Sequence, residues 1–385
     1  MIRITTIIKG LFILSFLIYV VSVSWYSWKN MNTYFYALKH FSALLPSVLF
    51  IFFIIKKPTI KKSLVILPFL FALIIIPFAI RGNSDFAEII IFIQLLLFLL
   101  SAYVFSKILL KDNISFSKYE VLGLFAILLI PGFLDIVFNA GDFIYNTYYG
   151  RHRLLLGFYH PKEAGVSMLV ALLFFKLYFP HRFSPIQNVI FQISFFTLLF
   201  FMQSRNSLLL YLNFLVINFL LTRVNIATII FIYFVLPVLI FAYVAFIYFE
   251  ELNRLTSNRL ENWIKDLDFS LLGKGSSIAD FDKSNLLSKL HVDNFYLEYF
   301  IENGLIFFFV LCVMLASIIY LINKIKYNGV YINALFISFL IFCFFDAGMF
   351  SSGNFLNLFV WSLVFSALQY RSKYLELIHK KSIQA

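Results

Sequence analysis

Long apolar runs recur along this chain from one end to the other, separated by shorter polar stretches. A transmembrane helix requires about 20 mostly apolar residues. The pattern therefore predicts an all-α, polytopic membrane protein with twelve spans, at residues 4–24, 38–55, 64–80, 86–106, 120–139, 164–179, 188–203, 206–221, 226–249, 295–322, 330–347 and 353–370.

The composition favours the same interpretation. A chain of 385 residues would ordinarily form two or three soluble domains. However, 62% of these residues are hydrophobic, 13% are charged and the mean hydropathy is +0.91. We therefore predict a single polytopic membrane domain over residues 1–385, containing a large outer loop at 250–294. The apolar N-terminus lacks a convincing small-residue cleavage site, which favours a first transmembrane helix over a signal sequence.

The distribution of charge predicts the orientation. The side that carries both termini holds 18 of the 31 Lys and Arg residues but only three of the 19 Asp and Glu residues. Positive residues accumulate in cytoplasmic loops, so both termini are predicted to be cytoplasmic. The net charge of +12 is thereby explained as a topology signal, and nucleic-acid binding is not needed to account for it.

Polar chemistry is concentrated on the predicted outer side. Two long connections, 140–163 and 250–294, and a short turn at 203–206 lie there. Ionisable residues near the membrane also fall towards this face, and charges at membrane depth are costly and mark pathways or sites. These residues are Glu88, Asp135, Arg205, Glu298 and Asp346. The sequence thus predicts a functional site at the outer leaflet.

The large outer loop carries an ordered set of polar residues. Arg259 and Trp263 are four residues apart, and the glycines of Gly273-Lys274-Gly275 permit a tight turn close to a ligand. The loop ends in "HVDNFYLEYFIENGL", residues 291–305, whose polar members are His291, Asp293, Asn294, Glu298 and Glu302. If the next helix starts near residue 295, the two glutamates share one of its faces.

This order of motifs resembles the large outer loop of the O-antigen ligase and Wzy-type polymerase superfamily. Two further stretches, "YYGRHRLLLGFYHPKEAG" at 148–165 and "MQSRNSLL" at 202–209, are similar to other motifs of that family. Ligases commonly place asparagine directly after the histidine, whereas Val292 and Asp293 precede Asn294 in this chain. The departure favours a polymerase over a ligase.

The resemblance implies a GT-C-like glycosyltransferase at the periplasmic face of a bacterial inner membrane. Its substrate would be a glycan on undecaprenyl diphosphate, and the reaction would move a growing chain onto a new lipid-linked repeat unit with inversion. Arginine binds phosphate bidentately and stays charged at working pH. The predicted diphosphate-binding residues are Arg259, Arg205, Arg151 and Arg153.

The acceptor is a sugar hydroxyl, whose proton requires a base. His291 titrates nearest neutrality and is the first candidate, with Glu298 or Glu302 as alternatives or as orienting groups. Trp263, Asp293 and Asn294 are predicted to bind substrate. No cofactor and no metal are expected. The Asp-x-Asp pairs at 266–268 and 280–282 match a metal-binding pattern of nucleotide-sugar glycosyltransferases, but the sequence shows no doubly wound domain that could bind a nucleotide. A chain-length regulator would be a separate protein.

Several alternatives remain open at this level. The same residues would serve an O-antigen ligase that transfers finished glycan to lipid A–core, and a lipid-linked glycan transporter would need no catalytic base. Individual residues also have structural interpretations. His291 could cap a helix, Arg205 could extend to the interface, and Arg259 with Trp263 could form an interfacial anchor.

Overall fold

The computed structural model describes residues 4–30, 34, 37–47, 86–109, 116–138, 145–148, 151–178, 184–236, 239–240, 243, 247–251, 271, 294–325, 329–344, 349 and 353–384. These residues are mostly helical and include one short two-stranded hairpin. The predicted helical class is therefore confirmed.

Besides a helical stretch at 37–47, the main described elements are, in chain order, twelve helices and the hairpin. They are α1 Ile4–Ser22, α2 Trp25–Asn30, α3 Phe86–Leu109, α4 Lys118–Ile127, α5 Ile130–Phe138, β1 Tyr145–Tyr148, β2 Arg151–Leu154, α6 Pro161–Tyr178, α7 Pro185–Phe201, α8 Arg205–Leu221, α9 Ile226–Ile230 with a π-helical continuation Phe231–Val235, α10 Phe295–Asn323, α11 Gly329–Phe342 and α12 Phe355–Gln384.

The number of spans is not confirmed by helix lengths. Among the described residues, the segment Asn303–Asn323 is long and apolar enough to cross a membrane unaided. The α4–α5 pair would make a second span if the two helices are counted as one. The other apolar helices of the described residues run for 10–17 residues. The predicted span 64–80 lies outside the described residues.

Helix starts are encoded by capping residues. Ser117 and Glu120 form a capping box at α4, and Ser184 and Gln187 form another at α7. Each pair satisfies two backbone N–H groups that have no partner inside the helix. The local sequence therefore sets these two starts independently of packing.

The predicted span 120–139 consists of two helices, because α4 and α5 meet at a bend of 41°. Leu128 and Leu129 donate their N–H groups to Phe125 and Ala126, so the last turn tightens to a three-residue spacing. Pro131 follows, and proline has no N–H with which to continue the ladder. The break thus follows from Pro131.

A hairpin lies inside the predicted loop 140–163. Tyr145 pairs with Leu154 and Tyr148 with Arg151 in antiparallel register. Two residues, Tyr149 and Gly150, separate the strands in sequence, and glycine is common in hairpin connections of this length. The apolar pattern does not predict this element, because each strand is only four residues long.

The chain forms two compact units, of which the first comprises Met1–Ile60, Gln94–Leu212 and Phe350–Tyr370. Helix α1 lies in its core. The ring of Phe12 contacts Phe105, Phe116, Phe174 and Phe355, with centroids 4.9–6.1 Å apart. Such aromatic pairs contribute about 0.5–1.5 kcal/mol each beyond area burial. This cluster joins α1 to α3, α6 and α12.

Helix α1 runs parallel to α4 and α5 within this unit. Near its start, Lys9 pairs with Glu120 at 3.3 Å. Beyond its end, the rings of Tyr26 and Phe138 lie 4.6 Å apart. The end of α1 therefore lies at the same end of the unit as the end of α5.

The second unit comprises Lys61–Ile93, Asn213–Met349 and Arg371–Ala385. In it the start of α10 contacts the end of α11. The N–H of Phe295 donates to the carbonyl of Cys343, and the Tyr296 hydroxyl donates to the carbonyl of Leu340 at 2.9 Å. Carbonyls at a helix end lack intrahelical partners, so α10 satisfies two acceptors near the end of α11.

Candidate functional site

The predicted site residues divide between the two units. Arg205, Arg151 and Arg153 belong to the first unit. Asn294, Glu298 and Glu302 belong to the second. The remaining predicted residues, His291, Asp293, Arg259 and Trp263, lie outside the described residues, so their proposed roles stay predictions.

Arg205 is the first residue of α8 and its side chain is exposed. The preceding turn is tight, since Gln203 has a positive φ of 51°. The N-terminus of a helix carries a partial positive charge. Arg205 therefore adds a full charge to a position that already favours anions.

A close approach joins the two stretches that carry the resemblance in this unit. Gly165 lies in α6, and a Cβ at this position would be 2.1 Å from Ser204 Oγ and 2.7 Å from Ser207 Oγ. Both serines are buried, and Ser204 Oγ lies 3.0 Å from Ser207 Oγ. Only glycine leaves room for the turn before Arg205 to lie against α6. We refer to this as the Gly165 contact.

The loop before α6 is also held by a glycine. Gly157 has a φ of 83°, and a Cβ there would lie 2.3 Å from the backbone of Pro131 and Gly132. Its carbonyl accepts the N–H of Trp25 at 2.8 Å. The loop is therefore held between the start of α2 and the start of α5.

A buried polar network lies at the start of α6, and the sequence analysis did not single it out. Lys39 Nζ lies 2.6 Å from Glu163 Oε1, and the side chains are 13% and 8% exposed. The Tyr19 hydroxyl donates to Glu163 Oε2 at 2.6 Å. We refer to Tyr19, Lys39 and Glu163 as the Glu163 network. Its members come from α1, the helical stretch 37–47 and α6.

The Glu163 carboxyl lies immediately before the predicted span 164–179. Burial raises its pKa, but the Lys39 ammonium and the hydrogen bonds from Lys39 and Tyr19 together outweigh burial and leave the pKa below its usual value. The carboxyl is therefore an anion near neutral pH. One sequence signal pointed to it, since Lys39 and Glu163 both lie at the predicted outer ends of apolar runs.

Arg151 and Arg153 lie in β2, where their register partners are Tyr148 and Asn146. The structure thus places both arginines on a strand rather than in an irregular loop. Of the other ionisable residues predicted near membrane depth, Asp135 is buried in α5, and Asp346 lies outside the described residues.

Asn294 is the N-cap of α10. Its side-chain oxygen accepts the N–H groups of Tyr296 at 3.0 Å and Leu297 at 3.2 Å. Asparagine is among the preferred N-cap residues. The Asn-x-x-Leu motif therefore has a structural explanation, because its asparagine binds the backbone of its leucine.

Helix α10 begins at Phe295, as predicted. The backbone is helical at both Glu298 and Glu302. Their spacing of four residues therefore places the two positions on the same face of α10, as predicted. The helix is interrupted at Gly304, whose φ of 79° and ψ of 178° are not helical. The glycine of the Glu-x-Gly-Leu motif is therefore a helix breaker.

The break at Gly304 ties α10 to the large outer loop. Beyond it the N–H of Ile306 donates to the carbonyl of Leu271 at 3.3 Å. Leu271 precedes the predicted Gly273-Lys274-Gly275 turn by two residues. A backbone hydrogen bond thus joins residues next to two of the predicted outer-loop motifs.

No family model, curated protein or solved structure matches this chain. The motif resemblance therefore remains a prediction. In the part of the chain that the structure describes, no three His, Cys, Asp or Glu side chains could together hold a metal ion. The described chemistry consists of an exposed arginine at a helix start, two strand arginines and a buried carboxylate network.

Proposed function

We propose that this chain is a polytopic membrane glycosyltransferase that polymerises a polysaccharide at the outer face of a bacterial inner membrane. It transfers a growing glycan from undecaprenyl diphosphate onto a new lipid-linked repeat unit and inverts the anomeric centre. Twelve spans with both termini in the cytoplasm provide the scaffold.

Exposed apolar helix faces support the membrane location. On α7, large apolar side chains recur at helical spacing and are 54–72% exposed at Ile186, Val189, Ile190 and Ile193. The opposite face is buried through Phe195 and Leu199. Contiguous exposed apolar patches of more than a few hundred Å² are rare on soluble monomers. Acyl chains suit this face because they require no hydrogen bonds.

The Gly165 contact is the observation that carries the choice of enzyme. It joins the "HPKEAG" and "SRNS" stretches, which lie 39 residues apart between Gly165 and Ser204. The resemblance assigns both stretches to one site, and a missing side chain at Gly165 lets them meet. Arg205 follows directly and is exposed to a ligand.

The mechanism that we propose uses arginines as electrophilic catalysts. Arg205, Arg259 and Arg151 or Arg153 bind the donor diphosphate and neutralise the charge that develops as it leaves. Preorganised cations at a departing anion can supply the largest part of a rate enhancement. His291 accepts the proton of the acceptor hydroxyl, with Glu298 or Glu302 orienting it.

The decisive experiment uses purified protein in detergent with a defined undecaprenyl-diphosphate-linked repeat unit. We expect a ladder of longer glycans, and we expect none from His291→Ala or Arg259→Ala. Arg205→Ala should lower the elongation rate. The matched control is Arg223→Ala, since Arg223 lies just beyond the other end of α8. Normal chain length in both His291→Ala and Arg259→Ala would contradict the mechanism.

The same assay separates the competing functions. A ligase would move finished glycan to a lipid A–core acceptor without lengthening it, and a transporter would form no glycosidic bond. In a deletion strain, loss of a polymerase leaves surface lipid with single repeats, whereas loss of a ligase leaves polymer on undecaprenyl diphosphate.

A further inference from the structure

The Glu163 network is placed within one helical turn of the Gly165 contact. Glu163 and Gly165 are two residues apart in the first turns of α6. Gly165 lies against Ser204, and Ser204 precedes Arg205 in the chain. A short series of contacts therefore leads from Tyr19 and Lys39 to the start of α8.

We propose that Glu163 is a positioning residue for the transfer reaction, which it serves by fixing the first turn of α6 and, through the Gly165 contact, the backbone of Arg205. Lys39 and Tyr19 hold the two carboxylate oxygens of Glu163 in place. This proposal rests on the proposed function, because Arg205 is taken to bind the donor diphosphate. It assigns a role to Tyr19, Lys39 and Glu163, none of which is among the site residues predicted from the sequence.

Burial argues against a direct catalytic role for Glu163. Its side chain is 8% exposed, and both oxygens already accept short hydrogen bonds. A general base must reach the proton that it removes. The network is therefore suited to holding backbone in place rather than to touching substrate.

Stability alone does not account for an ionic network at this position. Replacing a buried ion pair with well-packed apolar residues is often neutral or stabilising. What an apolar pair cannot reproduce is the directional hold on both carboxylate oxygens at 2.6 Å. The network draws together one helix end, one helix start and the stretch 37–47 at defined angles, and the neighbouring helix start carries Arg205.

The test compares kcat/KM for elongation of the lipid-linked repeat in wild type, Tyr19→Phe and Glu163→Gln. Tyr19→Phe removes one hydroxyl and keeps the ring and the ion pair. Glu163→Gln keeps the shape and removes the charge. We expect kcat/KM to fall about threefold in Tyr19→Phe and at least tenfold in Glu163→Gln. Adding Arg205→Ala to either variant should cause no loss beyond that of Arg205→Ala alone, because non-additive effects identify coupled residues.

A structural role is distinguished by the variant Lys39→Met/Glu163→Met. We expect it to keep the thermal unfolding temperature of wild type but not its kcat/KM. The control is Glu120→Gln, which alters the ion pair between Lys9 of α1 and Glu120 of α4, at the opposite end of α1 from Tyr19, and should leave kcat/KM unchanged.

The outcomes separate the two proposals. If wild type does not elongate the repeat, the proposed function fails and this inference fails with it. If wild type elongates and Lys39→Met/Glu163→Met has normal kcat/KM, the positioning role alone is overturned. Losses in Tyr19→Phe and Glu163→Gln that multiply with the loss in Arg205→Ala would overturn it as well.

Discussion

Replacing Gly165 by alanine adds one methyl group at the point where α6 meets the turn before Arg205. The added Cβ would lie 2.1 Å from Ser204 Oγ and 2.5 Å from Ser204 Cβ. Real Cβ atoms essentially never approach other heavy atoms this closely, so the turn or the helix must move. Ser204 and Ser207 are both buried, so neither side chain can relieve the contact simply by turning into solvent.

The expected cost can be worked out against a matched control. Overpacking of a well-packed interior costs about 1–3 kcal/mol, whereas alanine gains about 1 kcal/mol over glycine in a helix interior. At Gly123 in α4 and Gly10 in α1, an added Cβ would meet no heavy atom within 4 Å. Gly123→Ala and Gly10→Ala should thus be neutral or stabilising, and Gly165→Ala should be less stable than either by about 1–3 kcal/mol.

The assay measures the free energy of unfolding in detergent together with kcat/KM for elongation. We expect Gly165→Ala to lose more activity than stability, because the displaced turn carries Arg205. The second substitution Ser204→Gly removes the two nearest clashing atoms, leaves Ser207 Oγ at 2.7 Å, and should recover part of the loss. Equal stability and activity in Gly165→Ala and Gly123→Ala would refute the packing argument.

Further predictions concern three local features. Gly304→Ala should lower the unfolding temperature in detergent, since a backbone with positive φ costs an L-residue about 1–3 kcal/mol; a temperature equal to that of Gly10→Ala would contradict this. Asn294→Ala should cost about 0.5–2 kcal/mol through loss of the N-cap, and Asn294→Asp should cost less; equal losses would argue for another role of the amide. Lys39→Met should lower the free energy of unfolding by about 3–5 kcal/mol, because it leaves Glu163 buried without its cation. The double variant Lys39→Met/Glu163→Met should recover most of that loss, and chemical denaturation measures both values.

Helix positions were predicted well where a local signal, such as an apolar run or a capping residue, defines them. Apolar run length located α1 and α10, and Asn294 set the start of α10 where the pattern placed it. The break after α4 was missed because Pro131 lies inside an otherwise continuous apolar run. The length of an apolar run reflects the free energy of transfer into an apolar medium, and one proline barely changes that free energy. The continuity of a helix depends instead on backbone N–H groups, and proline lacks one.

The sequence pattern places Lys39 and Glu163 on the same predicted side of the membrane, but their pairing could not be predicted from it. Lys39 and Glu163 are 124 positions apart, and nothing in either local stretch identifies the other as its partner. The same holds for Gly165, whose contact with Ser204 depends on the packing of two helices. Sequence motifs identify residues within single stretches of the chain, but the contacts between distant stretches arise only from the fold.

The break at Gly304 gives the N–H of Ile306 a choice between two acceptors that exclude each other. In an unbroken helix the N–H of Ile306 would donate to the carbonyl of Glu302, four residues earlier. It donates instead to Leu271. A single proton cannot serve both acceptors fully, so a straight α10 would lose the hydrogen bond to Leu271, and keeping that hydrogen bond keeps the helix bent at Gly304. The Ile306 N–H therefore couples the bend of α10 to the position of Leu271.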